Sequence, residues 1–225
     1  MDKDKNRILQ NVLDDGTKIY AKSPNGSGGI YWGLLKSNLL KDIVDRKIKY
    51  VYVCNVDNPL LKVADPVIIG YMEQNKLDIA SKVIQKTDPE EKTGVFCYKN
   101  DKPHIMEYFL MDTHAKNLRG SNGDLLYNAS NIGIYCFSID FLRKICLMGY
   151  SEFHLAHKKI PYYEESIERT IKPIINNGYK SEMFIFDVFK FCDKDKIGLL
   201  HTTREEEFLP IKKREDLMLA NELFS

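Results

Sequence analysis

Apolar residues at positions 30, 31, 34, 35, 39 and 43 recur with the spacing of one helix face. They begin where a glycine-rich stretch, Pro24-Asn25-Gly26-Ser27-Gly28-Gly29, ends, so a glycine loop opening a helix is expected there. Upstream, residues 8–20 read as short strands around an Asp14-Asp15-Gly16 turn. Downstream, Tyr50-Val51-Tyr52-Val53-Cys54 is a β-rich run short enough to be a buried strand, and it gives way to the polar loop Asn55-Val56-Asp57-Asn58-Pro59. Asp65-Pro66 has the chemistry of an N-cap followed by a first-turn proline, which predicts a helix to residue 75. Helix, strand, loop, helix is the rhythm of an α/β sheet.

The pattern then turns to strands over 79–85, 94–98 and 103–108, punctuated by Asp88-Pro89 and Asn100-Asp101. A Gly-Ser-Asn-Gly turn at 120–123 precedes strand-like runs at 125–127 and 132–137, and Ser138 is placed to cap a helix over 139–148. The stretch 150–180, with two prolines and several aromatics, reads as irregular chain wrapping a pocket or an edge. Residues 184–191 fit a buried helix, 197–202 a strand and 215–224 a last amphipathic helix. No internal repeat or low-complexity segment interrupts the chain, which predicts one mixed α/β domain.

Composition changes this picture little. The 225 residues, 44% hydrophobic and 29% charged, are ordinary for a globular protein. With 33 basic and 32 acidic residues the formal charge is +1, so no nucleic-acid partner is expected. The first seven residues are too charged for a signal peptide's apolar core, and no run approaches the roughly 18 apolar residues that span a bilayer. Five scattered cysteines without a C-x-x-C pair predict reduced thiols. A cytoplasmic protein with no membrane partner is the expectation.

Candidate chemistry begins with the glycine loop. Glycines let backbone approach a ligand, and amides at a helix start favour an anion or a carbonyl oxygen. The same pattern also fits a plain turn. Asp57 lies just past a buried-looking strand, where open α/β sheets place ligands, and one carboxylate there can hold Mg²⁺ against phosphate oxygens. The alternative is a turn-forming aspartate. The five histidines show no zinc spacing; His154 and His157 stand three apart without a third ligand. The run 157–159 reads as a solvated basic face, and Phe184, Phe186, Val188, Phe189 and Phe191 read as core.

Eight segments taken in order between residues 16 and 212 resemble one family, the eukaryotic UDP-N-acetylglucosamine pyrophosphorylases. They are residues 24–31, 56–66, 92–95, Glu107-Tyr108, Asn128-Ala129-Ser130-Asn131-Ile132, 158–162, Phe184-Ile185-Phe186-Asp187-Val188-Phe189 and Arg204-Glu205-Glu206-Glu207-Phe208-Leu209-Pro210-Ile211-Lys212. The resemblance implies a glycosyltransferase-A-like (Rossmann-like) mixed sheet flanked by helices, incomplete here. Residues 1–213 would be a partial nucleotidyltransferase catalytic domain, and 214–225 a helix starting a truncated C-terminal region. It implies Mg²⁺-dependent joining of UTP and N-acetylglucosamine 1-phosphate to give UDP-N-acetylglucosamine and pyrophosphate. Gly26 would then lie against the uracil, Asp57 would bind metal and nucleotide, and Lys212 would meet the phosphates. Gly94, Glu107 and Asn131 would face the sugar, and Phe184 and Phe186 would wall the N-acetyl pocket. A UDP-glucose or broad UDP-sugar pyrophosphorylase, or an inactive UDP-sugar-binding protein, are the competing readings.

The sequence also departs from the family. Ser27 stands where asparagine is usual, Ser130 where glycine is, Phe109-Leu110 where Ser-Glu is, and Ile134-Tyr135 where Asn-His is. The family's Leu-x-x-Gly-Gly-x-Gly-Thr-Arg-Leu-Gly phosphate loop has no counterpart in residues 1–22, whose one glycine is Gly16. Without the strand and helix of that loop the sheet should expose an edge, to be covered by a missing segment or a second polypeptide.

Overall fold

A computed structural model describes residues 8–218. The first strands are β1 (Gln10–Val12) and β2 (Lys18–Tyr20), an antiparallel hairpin around Gly16 as expected. The glycine loop enters a short 3₁₀ turn, Ser27–Gly29, and then α1 (Ile30–Lys36). The single helix expected here is two: α2 (Leu39–Asp45) follows a break at Asn38, whose φ of 58° is left-handed. Asparagine tolerates that conformation, and continuous apolar spacing conceals it.

Strand β3 (Tyr50–Cys54) and helix α3 (Pro66–Asn75) stand where the sequence puts them, with the Asp65 side chain accepting the Val67 N–H. Next come β4 (Ile79–Gln85), β5 (Val95–Lys99), β6 (Lys102–Met106) and the short α4 (Thr113–Asn117). Residues 125–127 supply only a bridge from Leu125 to Arg119. Strand β7 (Ala129–Ser138) runs into α5 (Ile139–Met148), whose Phe141 N–H is taken by Ser138 Oγ at 3.2 Å.

The stretch expected to be irregular instead forms β8 (His154–Lys158), β9 (Tyr162–Glu164), β10 (Arg169–Ile171) and β11 (Gly178–Glu182), in two antiparallel pairs. Three- to five-residue strands leave too short an alternation to read. Residues Ile185–Phe191 are a 3₁₀ helix rather than an α-helix, opened by an Asp187 N–H bond to Phe184 O. Strand β12 (Ile197–His201) and α6 (Arg204–Glu207), which the sequence did not announce, complete the order. The expected last helix begins at residue 216, and beyond 218 it lies outside the described residues.

The residues read as one domain divide into two compact units. The larger, 34–148 with 188–218, holds a mixed sheet in the order β12-β4-β7-β5-β6, with β3 also paired to β7. β12 is parallel to β4, and the β7 pairings are antiparallel. Because neighbouring residues on a strand face opposite ways, β7 binds two layers. Cys136 packs with Ile68 and Met72 of α3, and Phe137 stacks on Phe141 of α5 at 6.5 Å. Phe137 and Phe189, both at 0% exposure, anchor an aromatic core with Phe96 and Tyr135. Helices thus cover both faces of the sheet, as expected. The smaller unit, 8–33 with 149–187, contains the β1–β2 hairpin, the glycine loop and both short strand pairs.

Candidate active site

Strand β3 runs antiparallel to β7, so its C-terminal end points towards the β7 residues before Ile134. Asp57, three residues past Cys54, and Asn131, three before Ile134, therefore lie at the same end of this ladder. Beside β7, Val95 pairs with Ser130, which delivers Gly94 to Asn131. The larger unit thereby gathers five of the candidate residues, Asp57, Gly94, Glu107, Asn131 and Lys212, into two clusters.

In the first cluster three long-range bonds join the segments that carry Asp57 and Lys212. The Ile211 N–H donates to Asp57 O at 2.7 Å. Asn58, buried at 3% exposure, donates through Nδ2 to Glu207 O at 2.7 Å and accepts the Leu209 N–H at 2.9 Å. The loop after β3 is thus laced to the segment after α6. Lys212 Nζ stands 4.0 Å from Asp57 Oδ2, with the lysine side chain 71% exposed. So loose and solvated a pair contributes little on its own, which leaves both charges available to a ligand.

Glu207, whose carbonyl bonds Asn58, also belongs to a buried ionic triad. Lys82, in the middle of β4, donates to Asp65 Oδ2 at 2.5 Å and to Glu207 Oε1 at 2.6 Å. All three residues are buried. Burial pushes the Asp65 carboxyl up, but the Lys82 ammonium and the Val67 N–H outweigh it and hold the group below its ordinary value. Asp65 caps α3 and Glu207 ends α6, so one ammonium ties both elements to the sheet. Asn58 and Glu207 fall in segments that carry the resemblance, but sequence reasoning gave them no role, and it missed Lys82, whose one signal was a lysine interrupting an apolar strand.

In the second cluster the Asn131 N–H donates to Gly94 O at 2.8 Å. A Cβ on Gly94 would lie 3.0 Å from Ile105 Cγ2 and 3.2 Å from Glu107 Oε1, so the glycine holds open the space beside the carboxylate. Thr93 and Ser130 share a hydroxyl bond of 2.8 Å. Asn131 Oδ1 accepts from Gly133 N at 3.1 Å and from the Tyr135 hydroxyl at 2.9 Å.

The smaller unit gathers Gly26, Phe184 and Phe186. Gly26 has φ of 84°, and a Cβ there would meet Met183 O at 2.3 Å. The close approach that requires glycine is thus to the chain's own backbone. Met183 N donates to Asn25 O at 2.6 Å, Gly28 N to Met183 O at 3.0 Å, and Ile185 N to Ser27 Oγ at 3.0 Å, so the loop is zipped to residues 183–185. Phe184 stacks between His154 at 4.8 Å and Phe186 at 5.1 Å. Asp187 Oδ2 accepts the Phe184 N–H and lies 3.0 Å from His154 Nε2, fixing this aromatic stack. Burial raises the Asp187 carboxyl above its ordinary value, against the pull of the Phe184 N–H and His154. The basic run 157–159 is exposed, as expected.

Among the described residues no group of three or more His, Cys, Asp or Glu side chains could hold a metal. Asp57 stands as a single carboxylate, a donor set that suits Mg²⁺ shared with phosphates better than a protein-caged ion. All five cysteines are free; burial pushes the Cys136 and Cys146 thiols up to about 11 and Cys192 to about 12, so these three are poor nucleophiles. Among the described residues no helix is long and apolar enough to cross a membrane.

A family model described as UTP–glucose-1-phosphate uridylyltransferase matches residues 1–224. Over 221 residues the chain is 38% identical to human UDP-N-acetylhexosamine pyrophosphorylase-like protein 1, covering 93% of this chain and 42% of that protein. It is 37% identical over 195 residues to the UDP-N-acetylglucosamine pyrophosphorylase of Saccharomyces cerevisiae, covering 85% of this chain and 41% of the yeast protein. The chain therefore spans less than half the length of these relatives. The crystal structure of uridine diphosphate N-acetylglucosamine pyrophosphorylase from Trypanosoma brucei, in complex with an inhibitor, is similar with a TM-score of 0.74 and 28% identity, over 92% of this chain and 42% of that one. UDP-glucose pyrophosphorylase of Leishmania major, at 18% identity and a TM-score of 0.65, shares the fold.

Proposed function

Because the chain belongs to the UTP–glucose-1-phosphate uridylyltransferase family, we propose that it serves uridylyl transfer from UTP to N-acetylglucosamine 1-phosphate. The products are UDP-N-acetylglucosamine and pyrophosphate. The observation that carries this reading is the lacing of the Asp57 loop to the Lys212 segment at the end of β3, beside the Gly94–Glu107–Asn131 cluster. An oxygen of the sugar phosphate attacks the α-phosphorus of UTP in line, and the bond to pyrophosphate breaks. Such a reaction needs positioning and charge neutralisation more than a protein nucleophile.

Lys212 would neutralise phosphate charge, and its exposed stem lets the ammonium follow the phosphates. Asp57 would hold Mg²⁺, which supplies further charge neutralisation on the phosphates when bound. Gly94 would admit the sugar, with Glu107 accepting from a hydroxyl or amide group and Asn131 contacting another. In the smaller unit, the loop at Gly26 offers backbone for the uracil, and the Phe184–Phe186 stack is an apolar wall of the kind an acetyl methyl packs on. The relatives at 37–38% identity favour the N-acetylhexosamine substrate over glucose 1-phosphate. Five free thiols suit a reducing compartment such as the cytoplasm.

Among the described residues no strand pairs with the second edge of β3. A Tyr/Val-rich edge of this kind templates further pairing, and we infer that a strand of another polypeptide segment covers it.

Pyrophosphate release by the purified chain, given UTP, N-acetylglucosamine 1-phosphate and Mg²⁺, tests the reaction. Turnover that disappears in Asp57→Ala is the expected result. Well-folded protein without turnover, yet binding UDP-N-acetylglucosamine, would replace the enzyme by a UDP-sugar-binding protein.

A further inference from the structure

The structure assigns Tyr135 as a positioning residue: its hydroxyl locks the Asn131 carboxamide so that Nδ2, a donor, is the face left for the sugar of a bound UDP-sugar. This rests on the sugar site proposed above. Tyr135 occupies one of the positions at which the sequence departs from the family pattern, so its role is not carried over by resemblance.

The amide's orientation follows from its partners. A backbone N–H can only donate, so the atom facing Gly133 N must be the Asn131 carbonyl oxygen. The Tyr135 hydroxyl is the second donor on that oxygen, and two donors fill its two lone pairs. What remains is Nδ2, for which the described residues supply no acceptor. The ligand atom met there must carry a lone pair, such as a carbonyl or hydroxyl oxygen, while the Glu107 carboxylate beside Gly94 accepts from a ligand donor.

The backbone is shaped to keep this arrangement. The β4–β7 register shifts between Lys82 and Val83, and Gly133 takes φ of 74°, which turns its N–H back onto the Asn131 side chain. A Cβ at 133 would meet the Asn55 side-chain amide, so any other residue there would have to displace that amide and adopt a left-handed φ. Tyr135 is itself immobile: it is 3% exposed, with its ring edge-on to Phe189 at 5.6 Å and tilted against Phe137 at 6.2 Å. The core thus holds the hydroxyl in place, and the hydroxyl holds the amide.

The test is Tyr135→Phe in the full chain, read by calorimetric titration with UDP-N-acetylglucosamine and with UDP, which lacks the sugar. Losing one neutral hydrogen bond should weaken UDP-N-acetylglucosamine about 5- to 10-fold. UDP binding should hold, while the melting temperature should fall by only roughly 2–4 °C, the cost of one buried hydrogen bond. In an Asn131→Ala background the same change should have no further effect, because the tyrosine acts through the asparagine. Equal weakening of both ligands, or an undiminished effect in that background, would mean a structural role and overturn the assignment. NMR of the Asn131 side-chain amide needs no ligand: Tyr135→Phe should shift or broaden its resonances, and an unchanged pair would overturn the lock. A wild-type chain that shows the lock but binds no UDP-N-acetylglucosamine would instead sink the proposed substrate and, with it, the amide's role in sugar binding.

Discussion

Lys82 shows how one residue can hold a site it need not touch. An ammonium at 1% exposure survives only because Asp65 and Glu207 surround it, and each carboxylate belongs to an element that frames the Asp57–Lys212 pair. Lys82→Met strips the buried Asp65 carboxylate of its ammonium and leaves Glu207 only Lys62, 3.6 Å away, and should cost about 3–5 kcal/mol, measured by denaturant unfolding. The triad also sets an acid limit. Asp65 has a folded value below its ordinary 3.8, so its contribution is full above that pH and is lost as pH falls through the lowered value. Asp65→Asn should therefore flatten the acid side of the stability profile; an unchanged slope would show that Asp65 is not the group responsible. Gly26 is a second residue whose identity is forced. Positive φ and the collision that a Cβ would make with Met183 O predict that Gly26→Ala lowers stability by about 1–3 kcal/mol, visible as an earlier melt before any ligand is added.

At the scale of elements, β7 organises the larger unit. One edge pairs with β4 along its length, and the other is divided between β3 and β5. That division is what places the loop after β3 beside the turn before β5, and hence Asp57 near Gly94 and Asn131. Long elements with local signals were legible: β3, β4, α3 with its Asp65 cap and α5 with its Ser138 cap all fall where spacing and capping put them. Elements without local signals were not. The helix break at Asn38 lies inside unbroken apolar spacing, and β8 to β11 are too short for alternation to rise above chance. The 3₁₀ form of Ile185–Phe191 reflects the Asp187 bond to Phe184, which composition does not reveal.

At the scale of the molecule, the edge of β3 that no strand among the described residues covers predicts how the isolated chain behaves. It should associate, or gain stability from an added strand-forming segment; a monomeric, sharply cooperative melt above about 60 °C would count against that expectation. The site is read unevenly by sequence and structure. Motifs in order identified Asp57, Gly94, Glu107, Asn131, Lys212, Gly26, Phe184 and Phe186 as residues to watch, since each sits in a short local pattern. The sequence by itself determined the α/β class, the main strands and capped helices, and the family, because periodicity, caps and motifs are local properties of the chain. Only the tertiary structure decided that Asn58 bonds Glu207 across 149 residues, that Lys82 meets Asp65 and Glu207, and that Tyr135 holds Asn131. Those partners are chosen by strand register and by the need of buried polar groups for company, and neither is written in any single stretch of sequence.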